Sequence, residues 1–278
     1  MKTNFLAGIF LTTILIVNSS SLFSQKSIKV KNFHESLPKI ELDEKTPQRY
    51  LMSAEYFNKD IYGNPGSKTK VTGEYTRSLD SGYVGWNNVF ISHASNPSEP
   101  YQQKVKQDYM EKIKYVPSSH LMEESFFNNF SDQPDNILAR NLIWDMMMIE
   151  MFAWNYFDSL VLNKTYVTEI HGTFNMANIG SYNHSKIELN WIGVSMMNNK
   201  LCAVIEYRAL DNKIELNLKQ WKSKGSELYW GKTWVSLENK QIEYAEIYSN
   251  TILEMEIQGL SQKMLHSTKR VVTLNRIK

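Results

Sequence analysis

The sequence predicts an α+β fold: a curved antiparallel sheet, a meander of about seven strands in the C-terminal half, packed on a long apolar helix. Three observations predict it. Residues 136–160 carry apolar side chains around nearly a whole helical circumference, the mark of a buried helix. From Lys164 onward the apolar residues alternate with polar ones, as in strands with one buried and one wet face. Turn residues separate these alternating runs at short intervals.

The first element is a targeting segment. Lys2 precedes an uncharged run from Phe5 to Val17, the length of a signal h-region and too short to span a bilayer. The Ser-rich stretch Asn18 to Ser24 suits a signal peptidase, so residues 1–24 read as a signal peptide cut near Ser24-Gln25. The protein is therefore expected to be exported to the periplasm or the extracellular space. No cysteine stands at the cut, which argues against bacterial lipid attachment there. The only cysteine, Cys202, lies in an apolar strand segment and reads as a small buried hydrophobe rather than a nucleophile or half of a disulfide. Residues 25–45 read as a loose polar leader, and 46–278 as one domain with its helix at 136–160 and its sheet at 164–278.

Charge excludes some partners. Loss of Lys2 takes the 31 basic residues to 30 against 29 acidic ones, a net charge of +1 with no electrostatic case for nucleic acid. Gly63-Asn64-Pro65-Gly66-Ser67-Lys68-Thr69 misses the spacing of a phosphate loop and reads as a turn, so no nucleotide is expected. Beyond the signal no segment reads as a membrane span; Leu142 to Trp154 is short and contains Asp145 and Glu150.

Along the domain, Tyr50, Leu51, Ala54, Phe57 and Ile61 share a helical face, which predicts a helix over 48–62. Strands are expected at Val71 to Ser78 and Tyr83 to His93, a turn at Asn96 to Pro100, and a solvated helix over Tyr101 to Tyr115. Asp135 is placed to cap the long helix. Ile187, Leu189 and Trp191 alternate with polar residues, as do Ile205, Tyr207 and Ala209, and then Ile214, Leu216 and Leu218. Putting Asp211-Asn212 in a hairpin turn matches every apolar pair across it. The preceding hairpin matches with a three-residue turn, which sets Trp191 against Tyr207, or with a bulge at Gly193. Further strands are expected at 166–176, 227–237, 240–257 and 269–277.

Candidate site residues are few. Glu169 and His171 fall on one face of the strand expected at 166–176, a carboxylate beside an imidazole. Asp145 and Glu150 are carboxylates in a helix built for burial, where an unpaired charge costs several kcal/mol, so each needs a partner such as an Arg or Lys of the sheet. Trp230 and Trp234 share one strand face and form a platform if the Val235 face meets the core. Met147 and Trp154 of the helix, together with Met146, Met148 and Met196-Met197, offer adaptable apolar surface to a ligand. No metal pattern and no cofactor motif is found.

In outline, the signal, the helix and the meander, over about half of the chain, resemble the periplasmic lipoprotein-carrier half-barrels. The resemblance is one of architecture. It implies a curved sheet covering an apolar cavity closed by helices. Three functional classes follow: a non-catalytic binding or carrier protein for a lipid or other apolar or amphipathic ligand; a hydrolase of envelope or extracellular substrates using a carboxylate and His171; and a ligand-free interaction protein of the envelope. The burial of Asp145 is testable at once. Asp145→Ala is expected to lower the melting temperature, and an unchanged one would place that carboxylate at the surface.

Overall fold

The structure, a computed structural model, describes residues 36–79, 82–128, 130 and 136–277; the signal segment, the first part of the leader and the cap expected at Asp135 lie outside them. The first three strands, β1 (Gln48–Asp60), β2 (Pro65–Leu79) and β3 (Tyr83–Ala94), form two hairpins. Short strands β4 (Val105–Lys106) and β5 (Lys114–Tyr115) add to β3. Helix α1 (Asn136–Trp154) follows. Beyond it come β6 (Thr165–Val167), β7 (Gly172–Asn175), β8 (Gly180–His184), β9 (Glu188–Met197), β10 (Lys200–Asn217), β11 (Trp221–Ser236), β12 (Ile242–Ile257) and β13 (Met264–Ile277).

These thirteen strands make one open sheet in the order β4-β3-β2-β1-β13-β12-β11-β10-β8-β7, with β9 also on β10 and β6 on β9. Every strand pair is antiparallel. The join between β13 and β1, with Ala54 opposite Val272, fuses the N-terminal hairpins to the C-terminal meander. The sheet therefore reaches well beyond residues 164–278. Residues 36–45 are not loose. Leu37 is buried, and the Asp43 carbonyl accepts from the side chains of Gln48 and Gln241 at 3.1 and 3.0 Å.

Several expectations are corrected. Residues 48–62 are not a helix. Tyr50, Met52, Ala54 and Tyr56 form a buried row at period two, while Leu51 and Phe57 lie on the other face, Leu51 exposed. Two apolar residues on the outer face imitate a helical stripe in a short window. Tyr101 to Tyr115 is not an α-helix either; it holds the short strands β4 and β5 with a 3₁₀ turn at Met110–Lys112 between them. α1 stops at Trp154, with a separate 3₁₀ turn at Phe157–Ser159. The strand expected at 166–176 is broken into β6 and β7 by an irregular stretch at 168–171.

The Asp211-Asn212 hairpin is a bulge. β10 runs straight through it, pairing Ala209 with Tyr229 and Asn212 with Glu227. A bulge and a two-residue turn both shift the buried face from odd to even positions, here from Tyr207 and Ala209 to Asn212, Ile214 and Leu216, so the apolar matches could not separate them. The buried Asn212 amide donates to the Ala209 and Glu227 carbonyls, both at 3.1 Å, and pins the bulge. Between β9 and β10, Asn198 and Asn199 have φ of 50° and 63° and form a two-residue turn. A bulge beside Gly193 then sets Trp191 against Ile205, not Tyr207.

No residue of α1 is exposed. Glu150 bonds to Tyr75 and Arg77 of β2, while Phe152 packs against Tyr207 of β10, ring centroids 4.8 Å apart. Two helix positions apart is ~200° of rotation, so these side chains leave opposite flanks. Yet β2 and β10 lie five steps apart in the sheet. Laid flat, that would be ~24 Å, against a helix ~10–12 Å across. The sheet must curl around the helix. The other side of α1 is closed by 3₁₀ turns: the Trp144 indole donates to the Leu121 carbonyl at 2.8 Å and meets Phe127 edge-on.

The curl has a tight spot. Tyr207 reaches across Gly231 to donate to the Glu246 carbonyl at 2.7 Å, and a Cβ on Gly231 would lie 2.0 Å from that carbonyl and 2.6 Å from the Tyr207 hydroxyl. Gly231→Ala is expected to cost at least the ~1–3 kcal/mol typical of overpacking. Urea denaturation measures it, and an unchanged midpoint would refute the crowding.

Candidate functional site

The curled sheet and α1 line two adjoining cavities, open to solvent, of about 280 and about 300 Å³. They share Asn141, Met176, Tyr182, Glu227 and Arg270 on their walls. The wall of the first is rich in methionine: Met122, Met147, Met148, Met151 and Met176. The second extends beneath Ile137 and Leu138 toward Ile214, Leu216, Trp221 and Leu253, the apolar cluster at the far end of the sheet. Unbranched thioether side chains adapt to irregular apolar shapes, so this is a wall suited to flexible hydrocarbon.

Polar groups interrupt it at a few points. Arg270 of β13 donates to Asp145 Oδ1 at 2.8 Å; the carboxylate is buried and the guanidinium side chain is largely so. Asn141 donates to the Tyr56 hydroxyl at 3.2 Å. Glu227 of β11 accepts from the hydroxyls of Tyr182 at 2.8 Å and Thr251 at 3.3 Å. Asp145 Oδ2, Arg270 Nε and the Tyr229 hydroxyl are buried without a hydrogen-bond partner among the described residues, and all three residues line the first cavity. Buried polar atoms are nearly always paired, so unpaired ones gathered on a cavity wall mark where a polar group of a ligand can be received.

Burial shapes the titration of these groups. It pushes the Asp145 carboxyl up to about 6 against the opposing pull of Arg270, and the nearby Glu227 adds to the rise. It pushes Glu150 up to about 7, again against its arginine, Arg77. His184 and His266 are driven below the ordinary imidazole value by burial and so are held neutral.

The sequence-derived candidates are scattered by the fold. Asp145 and Met147 lie on the first cavity. Glu150 sits further along α1, accepting from Tyr75 and Arg77, both at 2.9 Å. Trp154 is at the helix end, its indole donating to the Lys240 carbonyl at 2.7 Å with Arg77 over its ring. On β11 the Val235 face is buried and Trp230 and Trp234 point outward, Trp230 stacked on Tyr248 and Trp234 against Tyr244. Glu169 and His171 are exposed in the stretch between β6 and β7, and neither lines a cavity described above. Cys202 is buried, and burial raises its thiol to about 12. Arg270, Glu227, Tyr182 and Tyr229 went unnoticed in the sequence. Each lies on a strand whose alternation marks a face without telling which residues converge; only Asp145's need for a cation pointed toward Arg270.

No family model matches the chain, and no curated protein matches it. Among solved structures, a lipovitellin structure concerned with lipid–protein interactions aligns over 86% of this chain at 11% identity and a TM-score of 0.42; the chain spans 26% of that one. A DUF1329 family protein from Desulfovibrio piger aligns over 84% of this chain and 85% of its own at 10% identity and a TM-score of 0.15.

The raised carboxyls make a signed prediction. Between their ordinary values of 3.8 and 4.5 and their folded values near 6 and 7, the native state binds more protons than the unfolded one. The stability they contribute therefore falls as pH rises through that window. Asp145→Asn removes one of the two titrations. Urea midpoints at about pH 4.5 and pH 8 should drop further in the parent than in the variant, by about 1–3 kcal/mol. Parallel drops would contradict the shift.

Proposed function

We propose that this is an exported, non-catalytic binding or carrier protein of the cell envelope. Its ligand is apolar or amphipathic and sits between α1 and the sheet, in a half-barrel arrangement like that of the lipoprotein carriers. The cavity carries the reading. Two adjoining spaces of about 280 and about 300 Å³ lie at the lower edge of the ~300–1,000 Å³ of small-molecule sites. Their walls are mostly apolar, with a few converging polar atoms, which is how sites for amphiphiles are built. Export rests on the uncharged run of Phe5 to Val17 behind Lys2. A periplasmic or extracellular protein meets lipids and their fragments, and a cavity of this kind keeps a hydrocarbon chain out of water at ~0.8 kcal/mol per buried CH₂.

Native mass spectrometry of protein purified from its host envelope tests the reading. A co-purifying lipid or amphiphile is expected, and Met147→Trp, which fills the first cavity, should reduce its occupancy at least about tenfold while circular dichroism stays native. Ligand-free protein from the host, or equal occupancy in Met147→Trp, would overturn it.

A further inference from the structure

The cavity has a charge imbalance, and it names the kind of head group. Its walls carry two carboxylates, Asp145 and Glu227, but a single guanidinium, Arg270, and Arg270 is committed to Asp145 at 2.8 Å. Glu227 has only hydroxyl partners, Tyr182 and Thr251, and no ion pair among the described residues. It stands where the two cavities meet, because it lines both. Beside it, rings gather around His184: Tyr182 at 4.7 Å, Phe174 at 5.6 Å and Tyr229 at 6.1 Å. The Asp145 Oδ2 and Tyr229 hydroxyl in the same wall are buried without a partner. A cavity wall that carries one more carboxylate than cations, with aromatic rings beside it, attracts a cation and repels an anion.

Resting on the reading of this cavity as an amphiphile site, we propose that it selects an amphiphile with a cationic ammonium head. The head lies against Glu227 on the wall that Tyr182 and Tyr229 also line, and the chain runs along the methionine wall. A free fatty acid is disfavoured, since Asp145 and Glu227 together outweigh the single guanidinium of Arg270, whose Nε is the one buried cationic donor on these walls left without a partner among the described residues.

Isothermal titration calorimetry on the delipidated protein, with dodecyltrimethylammonium, dodecanoate and dodecanol below their micellar concentrations, tests this. The ammonium should bind at least about tenfold more tightly than the carboxylate, and Glu227→Gln should bring that ratio toward one. Dodecanoate binding as tightly as the ammonium, or a preference that survives in Glu227→Gln, would overturn the proposal. The ratio in the parent protein decides even if the variant does not fold. Binding of dodecanol with no head-group preference sinks this inference alone. Failure of all three probes to bind sinks the cavity reading with it.

Discussion

The rest of the structure depends on how two buried carboxylates of α1 are neutralised. Asp145 meets Arg270 of β13, and Glu150 meets Arg77 and Tyr75 of β2. An ion taken out of water costs several kcal/mol, and one left without its partner destabilises by about 3–5 kcal/mol. A helix carrying both charges can be buried only where the sheet supplies both arginines. The pairs therefore fix the position of α1 over β13 and β2, while Phe152 packs against Tyr207 and Tyr229 on the other flank. Reaching strands that far apart from one helix forces the sheet to curl.

The curl makes the cavity. Where helix and sheet touch through large side chains, as at Phe152 against Tyr207, the interior is filled. Where α1 presents Met147, Met148 and Met151 toward β8 and β11, it is not. Asp145 and Arg270 lie at the edge between these regimes. The interaction that seats the helix is thus also part of the cavity wall, and it is incompletely satisfied there: one oxygen of Asp145 and one nitrogen of Arg270 have no partner among the described residues.

Much of this was legible in the sequence. The buried rows of β9, β10, β12 and β13 follow the alternation of their residues, because one face of each meets the core. The burial of α1 follows from apolar residues all round it. What misled was local ambiguity. β1 carries Leu51 and Phe57 on its outer face, so they join Tyr50 and Ala54 in a pattern that reads equally as a helix. The bulge at Asp211-Asn212 flips parity as a turn does. The site was less legible than the fold, because it is made of long-range convergence: Asp145 declared that it needed a cation, but only the pairing of β13 with β1 and β12 places Arg270 beneath it. Nothing local singles out Glu227, which becomes distinctive only when Tyr182 and Thr251 arrive from other strands without a positive charge.

The central claim is that ligand enters between α1 and the sheet and does not rest on the outer aromatic face of Trp230 and Trp234. Photo-crosslinking with a diazirine-bearing long-chain amphiphile, mapped by peptide mass spectrometry, tests it most directly. The account predicts labels on the peptides carrying Met147, Met148 and Met176. Labels concentrated on Trp230, Trp234 and Tyr248 instead would contradict it.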